Sequence, residues 1–143
     1  MRWLTFVLNW RSDNPTPDIV LFVIYHDPNG TPIIERSGAL KKGLIAVANV
    51  FAERASRGAN QVVIAHELLH TLGATDKYDP ATNMPHYPEG FAHPDAKPIY
   101  PQSKAELMAG RIVIAADQAE IPASLGSALI GPETAGEIGW TEN

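Results

Sequence analysis

The chain has 143 residues, a length that suits one domain around a single buried core. Its net charge of -5, with 11 scattered Lys and Arg, argues against a nucleic-acid surface, because that affinity comes from clustered cations releasing counterions. It has no cysteine, which excludes disulfides, thiolate metal sites and cysteine nucleophiles and leaves His, Asp and Glu to hold any transition metal.

Trp3, Phe6, Val7 and Trp10 recur at helical spacing and predict a short N-terminal helix. This stretch is too short for a bilayer span and lacks the cleavage site of a signal peptide, so no membrane segment is expected and the compartment stays open. After the turn residues Asp13 to Pro17, the continuous apolar, β-branched run Ile19 to Tyr25 predicts a central strand. Asp27-Pro28-Asn29-Gly30 is a turn, since Pro presets φ and Asn-Gly tolerates positive φ, and a short strand is expected at Thr31 to Glu35.

Gly43 to Phe51 satisfies both helix and strand patterns; its opening glycine and β-branched residues favour strand. Arg57 to Asn60 then breaks the chain, with Asn60 as N-cap of a helix from Gln61 to about Leu72 and Gly73 as its stop. From Asp79 to Gln102, Pro80, Pro85, Pro88, Pro94, Pro98 and Pro101 predict a long, stiff surface loop. A strand at Arg111 to Ala115 and a short helix from Pro132 to about Ile138 complete the chain, which is expected to be a monomer.

The helix at Gln61 carries His66-Glu67-Leu68-Leu69-His70. Residues four apart share a helix face, so two imidazoles can meet one ion, while Glu67 is offset and suits a general base that takes a proton from a metal-activated water. A tetrahedral zinc site needs a third protein ligand. Gly73 can turn the chain back, and Asp76 follows within reach. The plain alternative is a hydrogen-bonded histidine pair beside a solvated Asp76. His86 and His93, in the Pro-rich loop, are alternative third ligands, although solvated loop histidines are the default. His26 suits a turn or capping role better than a site.

His66-Glu67-x-x-His70-x-x-Gly73-x-x-Asp76 resembles the extended zinc signature of the metzincins, in the variant with Asp as third ligand that marks snapalysin-type small bacterial neutral proteases. Asp76-Lys77-Tyr78 resembles the Asp-x-Tyr of that group, and Glu106-Leu107-Met108-Ala109-Gly110 resembles the metzincin Met-turn. The similarity covers roughly residues 60 to 110. It implies an α+β fold with a twisted mixed sheet, an active-site helix, a Met-turn and a C-terminal helix. It also implies a Zn2+ cofactor held by His66, His70 and Asp76, and hydrolysis of peptide or protein substrates. Met108 would be the soft floor under the ligands, with Met84 a weaker candidate. Tyr78 would donate to the developing oxyanion, or simply pack.

By the same resemblance the substrate would lie extended on an edge strand, expected at Gly43 to Phe51, with the Pro-rich loop walling its pocket. The chain departs from the family in its long stretch between Asp76 and Met108, in its lack of a long first helix beyond residues 2 to 11, and in having no cysteine pair. These differences suggest a distinct, N-terminally shortened branch. Two alternatives stay open: a thermolysin-like site with Glu133 or Glu137 as third ligand, and a non-catalytic metal-binding module, against which Glu67 speaks.

Overall fold

The computed structural model describes residues 18–30, 37–40 and 44–141, which form a small α+β fold with a mixed sheet and two helices. The helix expected near residues 3–10 and the strand expected at Thr31 to Glu35 lie outside the described residues. Strand β1 (Val20–His26) runs parallel to β3 (Ile45–Phe51), in register from Val20 opposite Ile45 to His26 opposite Phe51. The short strand β2 (Gly38–Leu40) pairs with β3 on the other side, antiparallel, with Gly38 opposite Val47 and Leu40 opposite Ile45.

The sheet order is therefore β1-β3-β2, which corrects two expectations. Among the described residues strand β3 is central, not an edge, and β1 pairs with it on one side. Burial explains the exchange: Ala46, Ala48 and Val50 of β3 are essentially inaccessible, at alternate positions on one face, whereas Ile24 and Tyr25 of β1 are exposed. A continuous apolar run shows that a strand is greasy; it does not show which strand has neighbours on both sides.

Helix α1 (Arg57–Leu72) packs on β3. It starts at Arg57, a turn earlier than expected, with Ser56 and not Asn60 at its N-cap. Asn60 instead sits in the first turn, where its side-chain amide donates to the Phe51 carbonyl (2.8 Å) and accepts from the Phe51 N–H (3.3 Å). One amide side chain can cap a helix or splice it to a strand end, and local pattern does not separate the two. Glycine at position 58 is required by packing, since any Cβ there would collide with the Ala123 carbonyl. The helix stops as expected: Gly73 adopts φ 112°, and both Gly73 and Ala74 donate backbone N–H groups to the Leu69 carbonyl (3.1 Å each).

One core cluster joins Val62 and Leu69 of α1 to Ala74, Leu107 and Met108, with Ile130 and Ile138 against it. Around it lie β4 (Ala105–Glu106), β5 (Ile112–Ala115), β6 (Gln118–Glu120) and β7 (Ala128–Leu129), in parallel β4–β7 and antiparallel β5–β6 pairs. Only β5 is legible beforehand; the others are two or three residues long, below the span in which alternation registers. Helix α2 (Pro132–Glu137) carries Pro at its start, as expected. The 79–102 stretch contains neither helix nor strand, and Gln102 pins it by accepting from His93 N–H (2.7 Å) and donating to the carbonyls of His93 (3.0 Å) and Ile99 (2.7 Å).

Glu106 is wholly buried, and its carboxyl accepts from four donors: Met108 N–H (2.6 Å), Ala109 N–H (2.9 Å), Gly131 N–H (3.1 Å) and Thr134 Oγ1 (2.8 Å). It ties the 106–110 turn to the start of α2. Glu106→Ala would strand four buried donors beside a cavity. A loss of about 3–5 kcal/mol in urea-unfolding stability is expected. A loss below about 0.5 kcal/mol would show that the donors find other partners.

Candidate metal centre

The last two turns of α1 place His66 and His70 one above the other, and the Gly73 reversal returns the chain so that Asp76 meets both. The His66 and His70 Nε2 atoms are 3.0 Å apart, and Asp76 Oδ1 is 3.0 Å from the first and 3.1 Å from the second. Among the described residues this is the group of His, Asp and Glu atoms close enough to share an ion. His86 and His93 are exposed and lie outside it. His26 bonds through Nε2 to Asn49 Oδ1 (2.9 Å), at the far end of β1.

The outer nitrogens set the chemistry. Nδ1 of His66 lies 3.0 Å from the Leu107 carbonyl and Nδ1 of His70 lies 2.8 Å from the Ala74 carbonyl. A carbonyl only accepts, so each Nδ1 carries the proton, and in the neutral ring each Nε2 is a lone pair directed at the other and at Asp76. Two lone pairs and a carboxylate oxygen at such distances repel unless a cation or shared protons lie between them. The donor set fits zinc: ligands at zinc bond lengths in a tetrahedral site stand about 3.3 Å from each other, close to the separations here. The backbone carbonyls supply the outer hydrogen bonds that orient metal-binding histidines.

Without an ion the same three groups share protons instead. Burial pushes the Asp76 carboxyl up, but with the rings protonated, hydrogen bonds from His66 and His70 and their charges outweigh it and hold Asp76 well below the usual range. Burial pushes His70 down, yet its bonds to Asp76 and the Ala74 carbonyl leave it raised. Glu67 is buried, and desolvation raises its carboxyl against the opposing pull of the two histidines. Its Oε2 has no hydrogen-bond partner, an expensive state for a buried oxygen beside an open ligand group.

Tyr78 lies near, its ring centroid 6.3 Å from that of His66. Met108 is fully buried in the cluster behind the helix, and its carbonyl accepts from Lys77 N–H (3.0 Å). Met84 is half-buried in the loop, where its carbonyl accepts from Asp79 N–H (2.9 Å). Two surface clefts, of about 240 Å³ by Thr82, Arg111 and Asp117 and about 490 Å³ by Tyr25, Phe51 and Arg57, include none of His66, His70 and Asp76. The centre is instead open to the surface through Asp76, whose side chain is 46% exposed.

Glu133 and Glu137, weighed as third ligands, face Lys77 and not the histidines: its buried ammonium is 2.6 Å from Glu137 and 3.4 Å from Glu133. Glu106 and Lys77 stand inside the sequence motifs, but their burial and partners were not legible there. Nothing in a lone Glu or Lys announces burial; the i, i+4 spacing of Glu133 and Glu137 on a short helix is the one signal that could have pointed to a shared cationic partner. No family model matches the chain, and comparison with curated proteins and with solved structures yields no match either.

Burial pushes Glu137 up, but hydrogen bonds from Lys77 and Thr75 outweigh it and hold the carboxyl below its ordinary 4.5. A depressed folded value means stability that is complete above the unfolded value and lost as pH falls through the folded one. Glu137→Gln should therefore flatten the fall in thermal midpoint below about pH 4.5. Parallel midpoint-against-pH curves for the two proteins would contradict this.

Proposed function

We propose that this chain is a zinc-dependent endopeptidase of the metzincin type, with His66, His70 and Asp76 as ligands and Glu67 as general base. The observation that carries it is the triangle of two Nε2 lone pairs and one Asp76 oxygen, held by Nδ1 bonds to backbone carbonyls. A purely structural site would be closed by a fourth protein ligand, whereas among the described residues this one joins three ligands to an adjacent buried carboxyl. When bound, zinc supplies a Lewis acid that polarises the scissile carbonyl and makes water more acidic.

The chain's own residues do the rest. Glu67, raised by desolvation, accepts the proton of the attacking water and passes it to the leaving amine. The hydroxyl of Tyr78, on the chain just beyond Asp76, stabilises the oxyanion. The substrate lies along β2, which replaces the Gly43 to Phe51 strand in this role: β2 is bonded to β3 on one side and, among the described residues, to no strand on the other. Met108, buried with Leu69 and Ala74 and next in sequence to Leu107, the partner of His66, serves as the methionine of a Met-turn.

Glu67→Gln should lower casein or peptide cleavage by about 10²–10⁴-fold while zinc content stays near one per chain. Wild type that binds zinc but cleaves nothing the mutant spares would make this a non-catalytic metal module. Asp76→Ala should weaken zinc binding sharply in a chelator competition; unchanged affinity would move the third ligand elsewhere. The pH optimum should be neutral to mildly alkaline, since a carboxylate ligand lowers the charge on the site. A profile peaking below about pH 5, where the histidines protonate, would contradict it.

A further inference from the structure

Asp76 is anchored through its neighbours. Thr75 donates its backbone N–H (3.0 Å) and its hydroxyl (2.6 Å) to the two oxygens of Glu137. Lys77 donates its ammonium to Glu137 (2.6 Å) and to Thr75 Oγ1 (2.7 Å), its backbone N–H to Met108, and its carbonyl receives His86 N–H (2.8 Å). Lys77 is 4% exposed, so its charge depends on this partner inside the protein. Glu133, one turn earlier on α2, stands 3.4 Å from the same ammonium. Every one of these bonds falls on residues 75 and 77, and none on Asp76 itself.

We propose that Glu137 is a positioning residue for the metal: from the C-terminal helix it clamps both residues flanking Asp76 and so aims Asp76 Oδ1 at the two histidines. The idea rests on the zinc reading above. An aspartate on a freely moving turn would spend most of its time pointing into water, because its carboxyl is nearly half exposed and among the described residues its side chain is held by the two histidines. With Thr75 and Lys77 fixed, the turn has lost that freedom before an ion arrives, and binding costs less ordering. Partners of this kind behind a ligand typically matter 10–100-fold in metal affinity. Linkage makes the effect mutual, so zinc in turn steadies the contact between α2 and the 74–77 turn.

The test is the zinc affinity of the folded full chain, measured by competition with a chromophoric chelator. Wild type, Asp76→Ala, Glu137→Ala, Glu137→Gln and Ala135→Gly would be compared, with circular dichroism to confirm folding. Glu137→Ala should bind zinc at least about 10-fold more weakly than wild type. Glu137→Gln keeps oxygen acceptance from Thr75 and should fall between the two; it carries the comparison if the alanine variant does not fold. Ala135→Gly loosens α2 without touching the clamp, and its affinity should stay within about twofold of wild type. Equal affinity of the Glu137 variants and wild type would overturn the positioning role, as would an Ala135→Gly loss matching that of Glu137→Ala. Wild type that binds no zinc, or binds it no better than Asp76→Ala, would instead defeat the ligand assignment on which the role rests.

Discussion

The buried carboxyl of Glu106 is the constraint on which the rest of this structure hangs. Its hydrogen bonds to Met108, Ala109, Gly131 and Thr134 hold the 106–110 turn against the first turn of α2. Both sides of that junction then serve the histidines. The turn presents the Leu107 carbonyl to His66 and the Met108 carbonyl to Lys77, and α2 presents Glu137 to Thr75 and Lys77. A buried carboxyl with four donors is satisfied; one with fewer would cost free energy at each missing bond, so the arrangement is close to all-or-none.

From that junction the order passes into the centre by short steps. Backbone carbonyls fix the tautomers of His66 and His70, the Schellman turn at Gly73 redirects the chain, and the clamped turn brings Asp76 onto the two Nε2 atoms. These steps rest largely on backbone groups and on the buried ammonium of Lys77, which move less than exposed side chains. The exposed edge of Asp76 and the partnerless oxygen of Glu67 are the unfinished parts, and both lie at the ligand group. Among the described residues Glu67 Oε2 is the buried side-chain oxygen left without a partner, and local frustration of that kind is what a binding site exhibits.

How much of this was legible beforehand follows from the range over which each signal acts. His66, His70, Gly73 and Asp76 interact through one helix and one turn, so their spacing carried the geometry. Strands β1, β3 and β5, the two helices and the Pro-rich loop declared themselves by local pattern. Asn60 misled because its partner, Phe51, lies across a tertiary contact. The exchange of β1 and β3 was hidden for the same reason, since sheet order belongs to pairing between distant segments. Glu106 and Lys77 were invisible as buried groups because charged residues are ordinarily exposed, and the partners that complete their burial are distant in sequence: Gly131 and Thr134, 25 and 28 positions from Glu106, and Glu137, 60 from Lys77.

If His66, His70 and Asp76 hold zinc as proposed, the ion should turn this chain into a peptidase. The most direct measurement is cleavage of an unstructured peptide by one preparation, followed through chelator dialysis and zinc return. Cleavage should vanish in the dialysed protein and come back with about one equivalent of zinc per chain, as a single catalytic site requires. Undiminished cleavage without metal, or a fully zinc-loaded protein that cleaves no peptide, would contradict it.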